Sequence, residues 1–190
     1  FGFSLILLFL VKESISQEKF KNDKFVIVLD VQQYWTDNTL TVNASKDMLL
    51  SINKLIEATS LGKVVYIKTI AVSKILSISF KGFSIDTVFA DALDSNLTVV
   101  NNIIFEKSEG DAFSSGKLTD YLIKNNAKEI IIAGLLAEKC VYKTVLGGIS
   151  RGYDIFIVPE AIGSKSDRRK QKVLLNLQKN GCKILNLQNL

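Results

Sequence analysis

The chain has 190 residues, enough for one domain with a full core and short for two. Its 47% hydrophobic content suits a compact protein with buried strands, and one Pro with no Gly/Ser-rich or charge-block linker excludes an internal domain boundary. The net charge of +5 is mild, and its densest part (Lys165, Arg168, Arg169, Lys170, Lys172) has helical spacing and no interleaved aromatics. That pattern reads as a solvated helix face, not a nucleic-acid surface.

The first eleven residues, "FGFSLILLFLV", are apolar but too short to span a bilayer as a helix. They have the length of a signal-peptide apolar region, and "SIS" at 14–16 offers small residues for cleavage before Gln17. Residues 1–16 are therefore expected to be a signal peptide or hydrophobic leader, and 17–190 the working domain. Cleavage implies export to a periplasm or the outside; without it the protein stays cytoplasmic. No stable membrane insertion of the mature domain is expected.

From Lys24 the pattern becomes regular. "KFVIVLD" (24–30) is a continuous apolar run ending in an acid, as a strand buried on both faces should read. Met48, Leu49, Ile52, Leu55 and Ile56 share one face of a helix that Asn43 or Ser45 can cap and Gly62 can end. "KVVYIKTI" (63–70) is the next strand. Residues 71–100 fit helix, strand or loop, with a short helix expected near 87–94.

"NIIFEK" (102–107) is again a strand, Ser114 or Ser115 caps a helix over 116–127, and "KEIIIAGLL" (128–136) is the most apolar strand. A helix is expected from Glu138 to Gly152, a strand over 153–161, a helix over 166–180 and a last strand over 182–187. Strands alternating with helices mean a three-layer α/β/α fold, doubly wound on a parallel sheet of about six strands. Ligands in such sheets bind beyond the carboxyl ends of the strands, where the strand order reverses.

That rule selects Asp30, Lys107 and Cys140, each at or just beyond a strand end. Singly, each has an ordinary explanation: a turn former, a solvated cation, a packing thiol. Together they make coherent chemistry. A helix N-terminus and a nearby cation lower a thiol pKa, and Asp30 can take the proton. The chain has no histidine, which excludes Cys-His and Ser-His arrangements. A Cys140–Cys182 disulfide is disfavoured because the two fall at opposite rims of the sheet. Such a strand is roughly 17 Å long, against a limit near 7 Å between Cα atoms.

Three segments carry a family resemblance. "VIVLDVQQYW" resembles the D-x-Q-x-x-aromatic opening of the isochorismatase-like cysteine hydrolases, "FEKSEGDAF" their Lys segment, and "AGLLAEKCVYKTVLGGISRGYDIFIVPEAIGS" their nucleophile segment. The resemblance implies an Asp30–Lys107–Cys140 triad acting on a small-molecule C–N substrate such as an amide or ureido compound. It implies a non-proline cis peptide at Leu136–Ala137 and an oxyanion hole from the backbone N–H groups of Ala137 and Cys140. By position, Tyr34, Trp35 and Phe113 would line the pocket.

The departures are specific. Ala137 stands where Thr is common, and "KTIAVSKILSISF" lacks the His-containing pattern of many members. Without histidine the nicotinamidase-type metal site is disfavoured; no metal and no cofactor is expected. A dinucleotide site would want glycines after the first strand, and "DVQQYWTDN" has none. A phosphate-accepting signalling domain would need clustered acids, and Asp30 stands alone. The alternative is an inactive member serving as a binding or assembly subunit. Family members commonly self-associate, so a homo-oligomer is also open.

Overall fold

In the computed structural model, residues 22–70 and 92–189 and the backbone of 72–79 and 82–89 are described. The expected leader lies outside the described residues. Eight strands and five α-helices follow in chain order: β1 (Phe25–Leu29), α1 (Gln33–Thr39), α2 (Val42–Glu57), β2 (Val64–Thr69), β3 (Val72–Ser79), β4 (Gly82–Phe89), β5 (Ile104–Lys107), α3 (Gly116–Lys124), β6 (Glu129–Gly134), α4 (Tyr142–Ser150), β7 (Asp154–Ile162), α5 (Asp167–Lys179) and β8 (Lys183–Ile184).

Six of the strands form one parallel sheet in the order β5-β2-β1-β6-β7-β8. The chain builds outward from β1 through β2 to the β5 edge, then returns to β6 on the other flank of β1. The order thus reverses beside β1, and the crevice opens beyond the carboxyl ends of β1 and β6. Alternation along the strands separates two cores. Ile27, Leu29, Ile130 and Ile132 face Leu118, Leu122, Val145 and Leu177 of α3, α4 and α5. Val26, Val28, Ile131 and Ala133 face Met48, Ile52 and Leu55 of α2. The fold is therefore three-layer α/β/α, as the strand-helix alternation requires.

Several local expectations are corrected. Thr41, not Asn43 or Ser45, caps α2, accepting from the Ala44 N–H at 3.3 Å. That helix ends at Glu57, before Gly62, with Ala58 as its C-cap. The short helix α1 over Gln33–Thr39 was not anticipated; its mixed polar and aromatic run has no apolar period. The segment 71–100 holds the antiparallel pair β3–β4, with Val72 opposite Phe89 and Ser79 opposite Gly82, in place of a helix near 87–94. Pairing between the two strands selects the extended form where the local pattern fitted helix, strand or loop alike.

Gly134 explains how closely β1 and β6 approach. It has φ of +120°, and a Cβ there would lie 2.0 Å from the Leu29 carbonyl oxygen. Only glycine fits this end of the strand. The chain can then turn sharply into the segment that carries Cys140.

Among the described residues, no helix is long and apolar enough to cross a membrane.

Candidate active site

Asp30 follows β1 with φ of +57°, a left-handed conformation that Asp tolerates better than most side chains. Its N–H donates to the Ile67 carbonyl at 2.9 Å. The turn aims its carboxylate across β2 toward β5. There the Lys107 ammonium lies 2.9 Å from Asp30 Oδ2, with both side chains buried. A buried ion pair survives desolvation only when its remaining donors and acceptors are satisfied.

Thr69, the last residue of β2, does this. Its hydroxyl donates to Asp30 Oδ1 at 2.7 Å and accepts from Lys107 Nζ at 2.6 Å. Parallel register pairs Thr69 with Lys107, so the two reach the rim together. Lys107 also donates to the Glu109 carbonyl at 3.0 Å and to Cys140 Sγ at 3.5 Å. Gln32 holds Thr69 from the other side. Its Oε1 accepts from the Thr69 N–H at 2.8 Å and its Nε2 donates to the Thr69 carbonyl at 3.2 Å.

Cys140 lies in a single π-helical turn, Ala137–Val141, that leads into α4. Its thiol is half-buried and free, as is the buried Cys182. Burial pushes the Cys140 thiol up to about 11; the Asp30 carboxylate adds to the rise, and Lys107 opposes it. The expected lowering of this pKa is therefore corrected. In the resting site desolvation and the neighbouring carboxylate outweigh the cation, and the sulfur keeps its proton.

Two backbone expectations are also corrected. The cis peptide joins Leu135 to Leu136, one bond before Leu136–Ala137. Leu135 still pairs through its N–H with the Leu29 carbonyl at 3.1 Å, so the chain leaves the sheet directly after it. The Ala137 N–H donates to the Gly163 carbonyl at 2.8 Å. That bond occupies the group expected in the oxyanion hole.

A cavity of about 250 Å³ opens onto Asp30, Thr69 and Cys140, walled by Trp35, Leu135 and Leu136. Trp35 is one of the lining side chains, and its buried Nε1 has no hydrogen-bond partner among the described residues. Tyr34 stands edge-on to Trp35, with ring centroids 4.9 Å apart, and is not among the described lining residues. Phe113 is corrected to a core residue. It stacks on Tyr153 at 5.4 Å beneath the Arg151 guanidinium and packs against α4. Thr69, Gln32, Lys139 and Lys165 were missed by sequence reasoning. Only the Gln of the D-x-Q pattern carried a signal, and its partner on another strand was invisible.

Among the described residues no three His, Cys, Asp or Glu side chains cluster as metal ligands. The residues present do not fit the metal site of nicotinamidase-type relatives, since the chain has no histidine and Asp30 is engaged by Lys107 and Thr69.

The three-layer α/β/α arrangement on a six-stranded parallel sheet is that of the isochorismatase-like hydrolase fold. The chain belongs to that family: the isochorismatase domain matches residues 24–189. It is similar to the secreted isochorismatase effector Isc1 of Verticillium dahliae, 26% identical over 83 residues, which make up 44% of each chain. The match thus spans less than half of that relative. In structure it is similar to an isochorismatase from Pseudomonas putida KT2440, with TM-score 0.72 at 16% identity, covering 93% of this chain and 96% of that one. A cysteine hydrolase from Pseudomonas syringae pv. phaseolicola 1448A superposes with TM-score 0.69 at 16% identity, covering 87% and 89%. These two likenesses concern the fold.

Proposed function

We propose that the protein is a cysteine hydrolase that cleaves a small amide, ureido or related C–N substrate through a thioester on Cys140. The observation that carries this reading is the convergence of Asp30 and Cys140 on one cavity, with the buried Lys107 behind them within reach of both. At about 250 Å³ the cavity is below the roughly 300–1,000 Å³ of pockets for drug-sized ligands. A metabolite-sized substrate suits it.

Asp30 takes the proton from Cys140 as the sulfur attacks the carbonyl carbon. The Cys140 N–H donates to the developing oxyanion, and Lys107 balances the charge shared between carboxylate and sulfur. The protonated Asp30 then gives its proton to the leaving nitrogen. Water, deprotonated by Asp30, attacks the thioester and releases the carboxylic acid and free thiol. A high resting thiol pKa accords with this order, because the proton moves only when the electrophile arrives.

A second reading, an inactive binding or assembly subunit, is favoured by the engaged Ala137 N–H, which leaves the oxyanion one donor fewer. Incubation with a panel of small amides, ureas and carbamoyl compounds separates the two. The hydrolase reading expects turnover and an acyl adduct on Cys140 by intact mass, both lost in Cys140→Ala. Wild-type rates in that variant would overturn it. Export remains part of the proposal: it rests on the apolar run of residues 1–11 with the small residues at 14–16, and agrees with the description of the Verticillium relative as secreted.

A further inference from the structure

Asp30 is the single carboxylate among the described residues lining the cavity, and Lys107 already neutralises it. Two other charged side chains line the same space, and both are cations. Lys139 comes from the π-helical turn immediately before Cys140, and Lys165 from the loop after β7. Neither forms an ion pair among the described residues. Glu138, next to Lys139 in sequence, is turned to the Ser164 hydroxyl at 2.9 Å and the Lys165 N–H at 3.3 Å, and Asp167, two residues after Lys165, opens α5 outside the cavity lining. Trp35, Leu135 and Leu136 make the rest of the wall mainly apolar, with Thr39 and Thr69 as its uncharged polar side chains.

From this charge distribution we infer that the substrate is an anion: a small amide or ureido compound bearing a carboxylate, which Lys139 and Lys165 hold while its reacting carbonyl lies over Cys140. The inference rests on the hydrolase reading and adds the charge of the substrate to it. Two cations with no ion pair among the described residues, at the mouth of a low-dielectric cleft, raise the local concentration of anions. A neutral amide of the same size gains nothing from them. The apolar walls accept the short carbon chain between the two ends, and the cavity volume limits that chain to a few atoms.

The test needs no known substrate, because two thiol reagents of nearly equal size differ only in charge. Iodoacetate is an anion and iodoacetamide is neutral. The rate of Cys140 alkylation by each is measured by peptide mass at low salt, and their ratio is compared with the same ratio for glutathione. The expected result is a ratio at least about tenfold above that of the free thiol, within the range that electrostatic focusing produces. In Lys139→Gln/Lys165→Gln the ratio should fall to within about twofold of glutathione, with the circular dichroism spectrum unchanged.

A wild-type ratio equal to that of glutathione overturns the inference and leaves the hydrolase reading standing. So does a raised ratio that survives the double substitution, which would assign the steering to Lys107. No alkylation by either reagent would remove Cys140 as an accessible nucleophile and take both readings down. Absence of turnover with intact, charge-selective alkylation would instead overturn the hydrolase reading alone.

Discussion

Gln32 clasps the backbone of Thr69 at both polar groups, accepting from its N–H at 2.8 Å and donating to its carbonyl at 3.2 Å. The pair joins the residues after β1 to the end of β2, and so fixes where the Thr69 hydroxyl sits between Asp30 and Lys107. Removing one partner of a buried hydrogen bond costs about 1–3 kcal/mol. Gln32→Ala should lower stability by about that amount in urea titration. Turnover should fall more than KM rises, since the loss lies in alignment. Unchanged stability and turnover would show that the clasp is incidental.

Thr69→Val keeps the shape and deletes the bridge. Hydrogen bonds to charged groups contribute about 1.5–3 kcal/mol, so kcat should drop by roughly 10- to 150-fold. Thr69→Ser should restore most of it. Equal loss in both variants would point to packing by the methyl group instead.

Breaking the buried ion pair from one side leaves a charge without compensation. Lys107→Met should destabilise the fold by about 3–5 kcal/mol, whereas Asp30→Asn/Lys107→Met should lose less than the sum of the two single variants. Strict additivity in thermal or denaturant melts would mean that the two groups act independently.

At Gly134 the constraint is steric. Gly134→Ala combines a strained φ, worth about 1–3 kcal/mol, with a Cβ placed 2.0 Å from the Leu29 carbonyl. The variant should be destabilised beyond the φ term alone and recovered mainly in the insoluble fraction. A soluble variant with a normal melting curve would refute the close approach of β1 and β6.

The Cys140 thiol sets an alkaline limit. Burial raises it from 9.0 to about 11. Below pH 9 both folded and unfolded chains keep the proton, so the group contributes no pH dependence. Between 9 and 11 the unfolded chain ionises first, and stability falls as pH rises. Cys140→Ala should therefore lose less stability than wild type over that window, although Cys182, pushed up to about 12, still contributes in both. The thiolate absorbance assigned by difference to Cys140 should titrate near 11. A midpoint below 8 would reverse the electrostatic balance described above.

The amino-acid sequence by itself determined the layered fold and the strand ends near which Asp30, Lys107 and Cys140 lie. Both are local signals: continuous apolar runs such as "KFVIVLD" mark strands buried on both faces, and Met48, Leu49, Ile52 and Leu55 repeat with the period of a helix. Asp30, Lys107 and Cys140 were legible because topology places strand carboxyl ends on one rim. Residues 71–100 were not, because their alternation competes with mixed propensities until pairing between β3 and β4 selects the extended form. Only tertiary structure decided what the rim does. The role of Thr69 depends on register with β5, and the clasp by Gln32 on a strand 37 residues away. Phe113 became core because α4 packs over it, and the Ala137 N–H was claimed by Gly163. The thiol pKa rose because desolvation depends on burial and on the distance to Asp30, which no linear pattern encodes.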